Sequence, residues 1–356
     1  MSYRNRFFVL FLALSAWSLP ASAVQRVFVS AISGNDANTA TGCAASAPCR
    51  WFAGAMSAVD AGGEMVAMDS GAYGAVTIAK SVSIIGAPGV YAGITVFSGN
   101  GVTIATPGVN VVLRGLTING LGGSYGIYMT AGLSLTVDHC VVSNFSSGYG
   151  LYLYTAAKVA VLGSLITGNY GGAFFGGGAT ALVSNSRVLD NTYVGLRAQQ
   201  SSSGTSKVTV NQSEASGSTY GFFAFAEGGG TTNVIASQFV TAGNTEGLYA
   251  LASSSGTTRA ELRDSVASGN SIGLDAFASG GTVHMSVSNS QISGNSSTGL
   301  WVEGSGATLT AGGNTVTRNG TGLFQAASGV LESTGDNIVR GNTTATSGTI
   351  TAVTKM

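Results

Sequence analysis

The chain has 356 residues, 54 of them glycine, with 15 basic and 15 acidic side chains. Charged residues make up 8% of it, against roughly 25% in an ordinary soluble domain. The 44% apolar content gives enough surface to bury, which argues against disorder, and the lack of a basic stripe argues against a nucleic-acid partner.

Residues 1–23 read as a secretory signal. Arg4 and Arg6 supply a positive start, Phe7 to Leu19 is an apolar run, and Ala21-Ser22-Ala23 fits a small-x-small cleavage site. The run is too short for a stable membrane span. The mature chain is expected to start near Val24, with 13 basic against 15 acidic groups and a net charge of about −2. Secreted or periplasmic residence, with no membrane span after signal removal, is the expected localisation.

Residues 24–63 form an N-terminal block of strand, loop and capping helix. Cys43 and Cys49 lie six apart in a polar loop. An exported protein meets oxidising conditions, so a disulfide between them is expected. The loop Gly34-Asn35-Asp36-Ala37-Asn38 invites a calcium ion but lacks a spaced set of carboxylates. A polar turn is expected there, with no metal and no other cofactor. Phe52, Ala55, Met56 and Val59 mark one face of a short helix that Gly62-Gly63 ends. Such a helix suits the open end of a sheet stack. Strands are expected at Glu64–Asp69, Val76–Ile78 and Val82–Ile85.

Residues 64–342 carry a repeat. A ladder position falls at Asn119, Asn144, Asn169, Asn191, Gly217, Asn244, Asn270, Asn295, Asn319 and Asn342, at intervals of 22 to 27 residues. In step with it runs a glycine followed by an apolar residue, from Gly126-Ile127 to Gly322-Leu323. A third marker, often Asn or Asp, lies six residues before the ladder position, as at Asp138, Asn185, Asn211, Asp264, Asn289 and Asp336. The text between is short, alternating or β-branched, without helical periodicity. A unit of about 25 residues holding three strands makes one triangular coil of a parallel β-helix, here with about ten coils. Residues 343–356 are expected to be a tail or cap.

The segment WFAGAMSAVDAGGEMVAMDSGAYGAVTIAKSVSIIG, together with the Asn and Gly-Leu coils, resembles right-handed parallel β-helix proteins of the pectin-lyase-like superfamily. The resemblance covers nearly all of residues 26–342 and implies an all-β, right-handed parallel β-helix. It implies fold far more than activity, because that superfamily hosts lyases, hydrolases, epimerases and adhesins. Its pectate-lyase branch uses clustered Asp ligands for calcium and an arginine base. Its polygalacturonase branch uses Asn-Thr-Asp, paired Asp, Gly-His-Gly and Arg-x-Lys motifs, and none of these strings occurs here. His139, His284 and Cys140 sit in strand-like text and are expected to be structural, Cys140 as a small buried thiol.

Side chains alternate across a strand. If Ile127, Leu151, Ala173, Leu196, Phe222, Leu248, Leu274, Leu300 and Leu323 point inward, an outward column follows. It holds Tyr128, Tyr152, Phe174, Arg197, Phe223, Tyr249, Asp275, Trp301 and Phe324, seven of nine aromatic. A second outward column holds Tyr154, Phe225, Leu251, Phe277 and Glu303. Outward rings in register either stack on one another across coils or form a binding strip. Asp275 and Glu303 flank Trp301 and are the candidate catalytic pair, in the manner of paired-carboxylate glycosidases. Three readings follow. The first is a non-enzymatic protein that binds a polysaccharide or a surface partner through the aromatic strip. The second is a polysaccharide lyase or glycoside hydrolase using the carboxylates, which the missing motifs weigh against. The third is a structural rod, which the aromatic column weighs against.

Overall fold

The computed structural model describes residues 25–354; the expected signal at 1–23 lies outside them. Three parallel sheets wind around one core. Sheet A has 14 strands, and sheets B and C have 12 each. The chain runs A, B, C and back to A, so every strand pairs with its equivalent one coil away. Typical of one coil are Ser134–Asp138 in sheet A, Val141–Ser143 in sheet B and Tyr149–Tyr154 in sheet C. Sheet A begins with Arg26–Val29 and ends with Ile350–Ala352, so pairing extends beyond 64–342 at both ends.

The N-terminal cover is a helix at Phe52–Ala58 whose Phe52, Ala55 and Met56 are buried. It is shorter than expected, because Val59 caps it in extended geometry and Gly63 already belongs to the strand Gly63–Ala67. That strand is the one expected at Glu64–Asp69, while Val76–Ile78 and Val82–Gly86 fall where the sequence places them. Cys43 and Cys49 form a disulfide with Cα atoms 5.1 Å apart. The Asp36 carboxylate accepts bonds from the Arg50 and Trp51 amides at 2.7 and 3.1 Å. Those bonds hold the turn at Asp36–Thr41 against the start of the helix.

The glycine marker has a steric cause. A Cβ on Gly247 would stand 2.4 Å from the Gly273 carbonyl oxygen, and one on Gly273 would stand 2.6 Å from that of Gly299. The marker glycines thus form a column in which backbone rests on backbone. The residues after them are the core stripe: Leu274 and Leu300 are fully buried, and Leu248 and Leu323 almost so.

The asparagine ladder needs three corrections, the first at Asn119, which pairs with Ser143 inside a strand and so stands two residues before the rung position held by Phe145. The ladder's interior rungs are Asn169, Asn191, Asn244, Asn270, Asn295, Asn319 and Asn342. Asn144 and Gly217 instead occupy the left-handed position one residue earlier, at φ 65° and 73°. Phe145 and Ser218 hold those rungs by their amides, bonded to Asn169 and Asn244. The rung asparagine therefore does not make the left-handed bend; its predecessor does. A second ladder, of serines, runs up the turn between sheets A and B through Ser164, Ser186 and Ser213, and again through Ser265 and Ser290. Cys140 is one of its rungs, its amide bonded to Ser164 Oγ. Burial pushes its thiol up to about 11, so it is a filler and not a nucleophile. His139 is not within a strand; it makes the left-handed bend before Cys140 and is exposed, paired with Asp138.

Candidate functional site

The outward column of sheet C exists in register. Tyr128 pairs with Tyr152, Tyr152 with Phe174, Phe174 with Arg197 and Arg197 with Phe223. Phe223 continues to Tyr249, Tyr249 to Asp275, Asp275 to Trp301 and Trp301 to Phe324. The rings do not lie open like tiles. Coils stack along the axis, so ring faces turn toward each other: Tyr152 on Phe174 at 4.9 Å and 8°, Phe223 on Tyr249 at 5.1 Å and 15°. Phe174 and Phe223 are only 6% exposed. Together with Tyr149, Val194 and neighbours they form a second apolar cluster outside the solenoid.

Arg197 does not break this column. Its guanidinium lies 5.6 Å from the Phe174 ring centre and 5.1 Å from that of Phe223, a cation between two π faces. Asp275 does break it. Tyr249 uses one face on Phe223, and Trp301 packs against Phe324 at 5.3 Å. The opposite sides of Tyr249 and Trp301 both turn to the coil of Asp275, where a carboxyl stands instead of a ring. Two strand spacings, about 9.6 Å, separate the backbones of Tyr249 and Trp301.

Asp275 is 8% exposed, and its Oδ1 meets no donor from the protein. The Trp301 indole nitrogen and Glu246 Oε2 are likewise buried without a protein partner. Burial, then the charges of Glu246 and Glu303, push the Asp275 carboxyl up to about 8. Burial pushes Glu246 up to about 7. The Tyr249 hydroxyl is raised as well, by burial and then by Asp275 and Glu246. Among the described residues no lysine or arginine pairs with any of the three acids. Glu303 lies diagonal to Asp275, its strand neighbour being Phe277.

Glu246 was not legible from alternation. It has the parity of the inward Leu248, yet it joins the outer face. Pairing passes from Glu246–Ile272 to Leu248–Leu274 and skips the marker glycine between them. The strand therefore resets its alternation at each marker. The residue just before it forms a further outer column, Tyr149, Gly171, Val194, Tyr220, Glu246 and Ile272. Bulky side chains recurring in a polar turn were the available signal. The arrangement can do two things. It sets a carboxyl, in place of a ring, in the slot between an aromatic ring and an indole, and it offers carboxyl oxygens able to accept, and where protonated to donate, hydrogen bonds. Among the described residues no group of three or more His, Cys, Asp and Glu side chains is placed to hold a metal ion.

Three parallel sheets, a glycine column and stacked polar ladders define a parallel β-helix protein. Residues 93–263 match the family described as "Right handed beta helix region". Pectate lyase Pel9A is a solved structure with 16% identity and a TM-score of 0.39, the match covering 90% of this chain and 80% of that one. The full-length tailspike protein 2 from Escherichia coli O157:H7 bacteriophage CAB120 has 12% identity and a TM-score of 0.35, covering 84% of this chain and 38% of that one. Neither likeness bears on what the slot does. No curated protein matches the chain.

Proposed function

We propose that this is an exported β-helix protein that binds an uncharged polysaccharide, without transforming it, at the slot between Tyr249 and Trp301. The observation that carries the reading is Asp275, almost wholly buried between those two side chains with an oxygen that no protein donor reaches. Buried polar atoms are ordinarily satisfied, and an unsatisfied one calls for an explanation. A sugar supplies the missing hydroxyl donors and an apolar ring face for Trp301. Among the described residues no lysine or arginine pairs with these acids, so nothing there attracts an anionic chain and a neutral one is the match. The remaining rings support the slot by stacking and are not the binding surface, because their faces are already engaged.

A second reading, glycoside hydrolysis, is favoured by the proton that Asp275 retains at neutral pH, as a general acid requires, with Glu303 as its partner. One experiment separates the two. Retention of the protein in gels of neutral polysaccharides is compared for wild type, Trp301→Ala and Asp275→Ala, and release of reducing sugar is followed alongside. Binding without catalysis predicts that both variants lose at least tenfold in retention, with little change in melting temperature for Trp301→Ala and no sugar release by any form. Sugar release that Asp275→Asn and Glu303→Gln abolish would establish the hydrolase instead. Equal retention with a lowered melting temperature would show that the slot is only packing.

A further inference from the structure

The chain treats its acids in two ways. On sheets A and B, acids pair with arginine: Glu64 with Arg26 at 2.7 Å, Asp138 with Arg114 at 2.7 Å and Glu214 with Arg187 at 3.1 Å. The arginines of these pairs are exposed, so water already serves the charge and pairing gains little. On sheet C, Glu246, Asp275 and Glu303 stand on three successive coils. Among the described residues none of the three has a lysine or arginine beside it, although Asp275 Oδ1 and Glu246 Oε2 are buried and meet no donor. A charge is thus left unpaired where pairing matters most. Tyr249 stacks on Tyr220 and Phe223, and Trp301 packs on Phe324. Neither packs on a ring on the side toward Asp275.

We propose that the slot also binds a small primary ammonium ion, in exchange for the protons of its acids; this rests on the reading above only in that the slot admits a ligand. An ammonium nitrogen carries three N–H donors and no acceptor. It serves Asp275 Oδ1 and Glu246 Oε2 together, and its charge offsets theirs. A desolvated cation is attracted to the faces of Trp301 and Tyr249, which also give its alkyl chain an apolar wall. The ammonium head is about as large as a water molecule, so it asks for less room than a sugar ring. A metal ion is a poorer match, because among the described residues no group of three or more His, Cys, Asp and Glu side chains is placed to hold one. The titratable groups facing Asp275 are Glu246, Tyr249 and Tyr220 on the coils before it and Glu303 on the coil after it. The cation Arg197 lies three coils away. Asp275 and Glu246 give up their protons only near 8 and 7. The ammonium competes with those protons, so its binding strengthens as pH rises through that range.

The test is calorimetric titration of the full protein with n-butylammonium, tetramethylammonium and n-butanol. n-Butylammonium is expected to bind at least tenfold more tightly at about pH 9 than at about pH 6. Its binding should release protons, seen as a heat that differs between buffers of unlike ionisation enthalpy. Tetramethylammonium lacks N–H donors and n-butanol lacks charge, and each is expected to bind at least tenfold more weakly. Asp275→Asn should abolish the binding; that variant is expected to be more stable than wild type, so the loss is not a loss of fold. Glu261→Gln, on sheet A, should leave the binding unchanged. No binding of n-butylammonium, equal binding at both pH values, equal binding of n-butanol, or wild-type binding by Asp275→Asn would each overturn the proposal. Retention in neutral polysaccharide gels is read separately. Retention without ammonium binding defeats the ammonium proposal alone, and ammonium binding without retention defeats the glycan reading alone.

Discussion

At the scale of single residues, Asp275 sets the energetics of the outer face. An unfolded chain ionises aspartate and glutamate near 3.8 and 4.5, whereas the folded protein holds Asp275 near 8 and Glu246 near 7. The folded state therefore binds more protons between about pH 4 and pH 8, and stability falls as pH rises through that window. The penalty is absent below it and complete above it. Asp275→Asn removes the ionisation, and a tenfold change in a proton affinity corresponds to about 1.4 kcal/mol. Thermal unfolding should show the variant more stable than wild type by on the order of 5 kcal/mol at pH 8, with the gap closing toward pH 4. A gap that does not vary with pH would mean that Asp275 carries no perturbed charge. A protein that keeps such a group at a cost to stability is consistent with a binding role for it.

At the scale of the repeating element, polar ladders hold one coil on the next. Asn270 donates to Asn295 Oδ1 at 3.1 Å and to the Thr241 carbonyl at 3.1 Å. It accepts from the Asn244 amide and side chain at 2.9 and 3.0 Å. Asn270→Ala orphans buried groups on both neighbouring coils and should cost on the order of 3 kcal/mol. Asn119 is only part-buried, and its side-chain oxygen accepts from Asn144 and Ser143. Asn119→Ala should cost under about 1 kcal/mol. Denaturant titration of the two variants checks the contrast, and equal losses would deny the ladder its structural part. The repeat was legible because its two strongest markers answer hard constraints: a glycine where backbone touches backbone, and an amide where a bend needs internal bonds. The exact rungs were less legible, because Asn serves both as rung and as the left-handed residue before it, as Asn144 does. The serine ladder was hidden because serine is common everywhere in this chain. The aromatic column was placed correctly by alternation, but strand parity says nothing of which way a ring's face turns. Glu246 escaped for the related reason that parity fails at the marker glycine.

At the scale of the whole molecule, each coil touches only the coils before and after it, and stability is close to a sum of neighbour terms. A local insult should then stay local. Leu300 is fully buried, and Leu300→Asp places a charge there without a partner. Hydrogen exchange should show protection lost in the coils around the Thr298–Glu303 strand and toward the C-terminal end, and kept near the Phe52–Ala58 helix. Loss spread evenly along the chain would instead mean that the solenoid unfolds as one unit. The same linear construction lets sheet A and sheet C carry unlike chemistry, because neither face has to close around the other.

Of the three tryptophans, Trp17 lies outside the described residues and Trp51 stands at the helical end, 41% exposed beneath Arg50. Trp301 is many coils away, beside a carboxyl that changes charge near neutrality and a run of tyrosines reaching to Tyr249. The molecule therefore carries its own lamp at the slot. Light absorbed by the tyrosines and re-emitted by Trp301 should brighten or dim as Asp275 gains its proton or a sugar displaces water from the indole, with Trp51 glowing steadily as the reference.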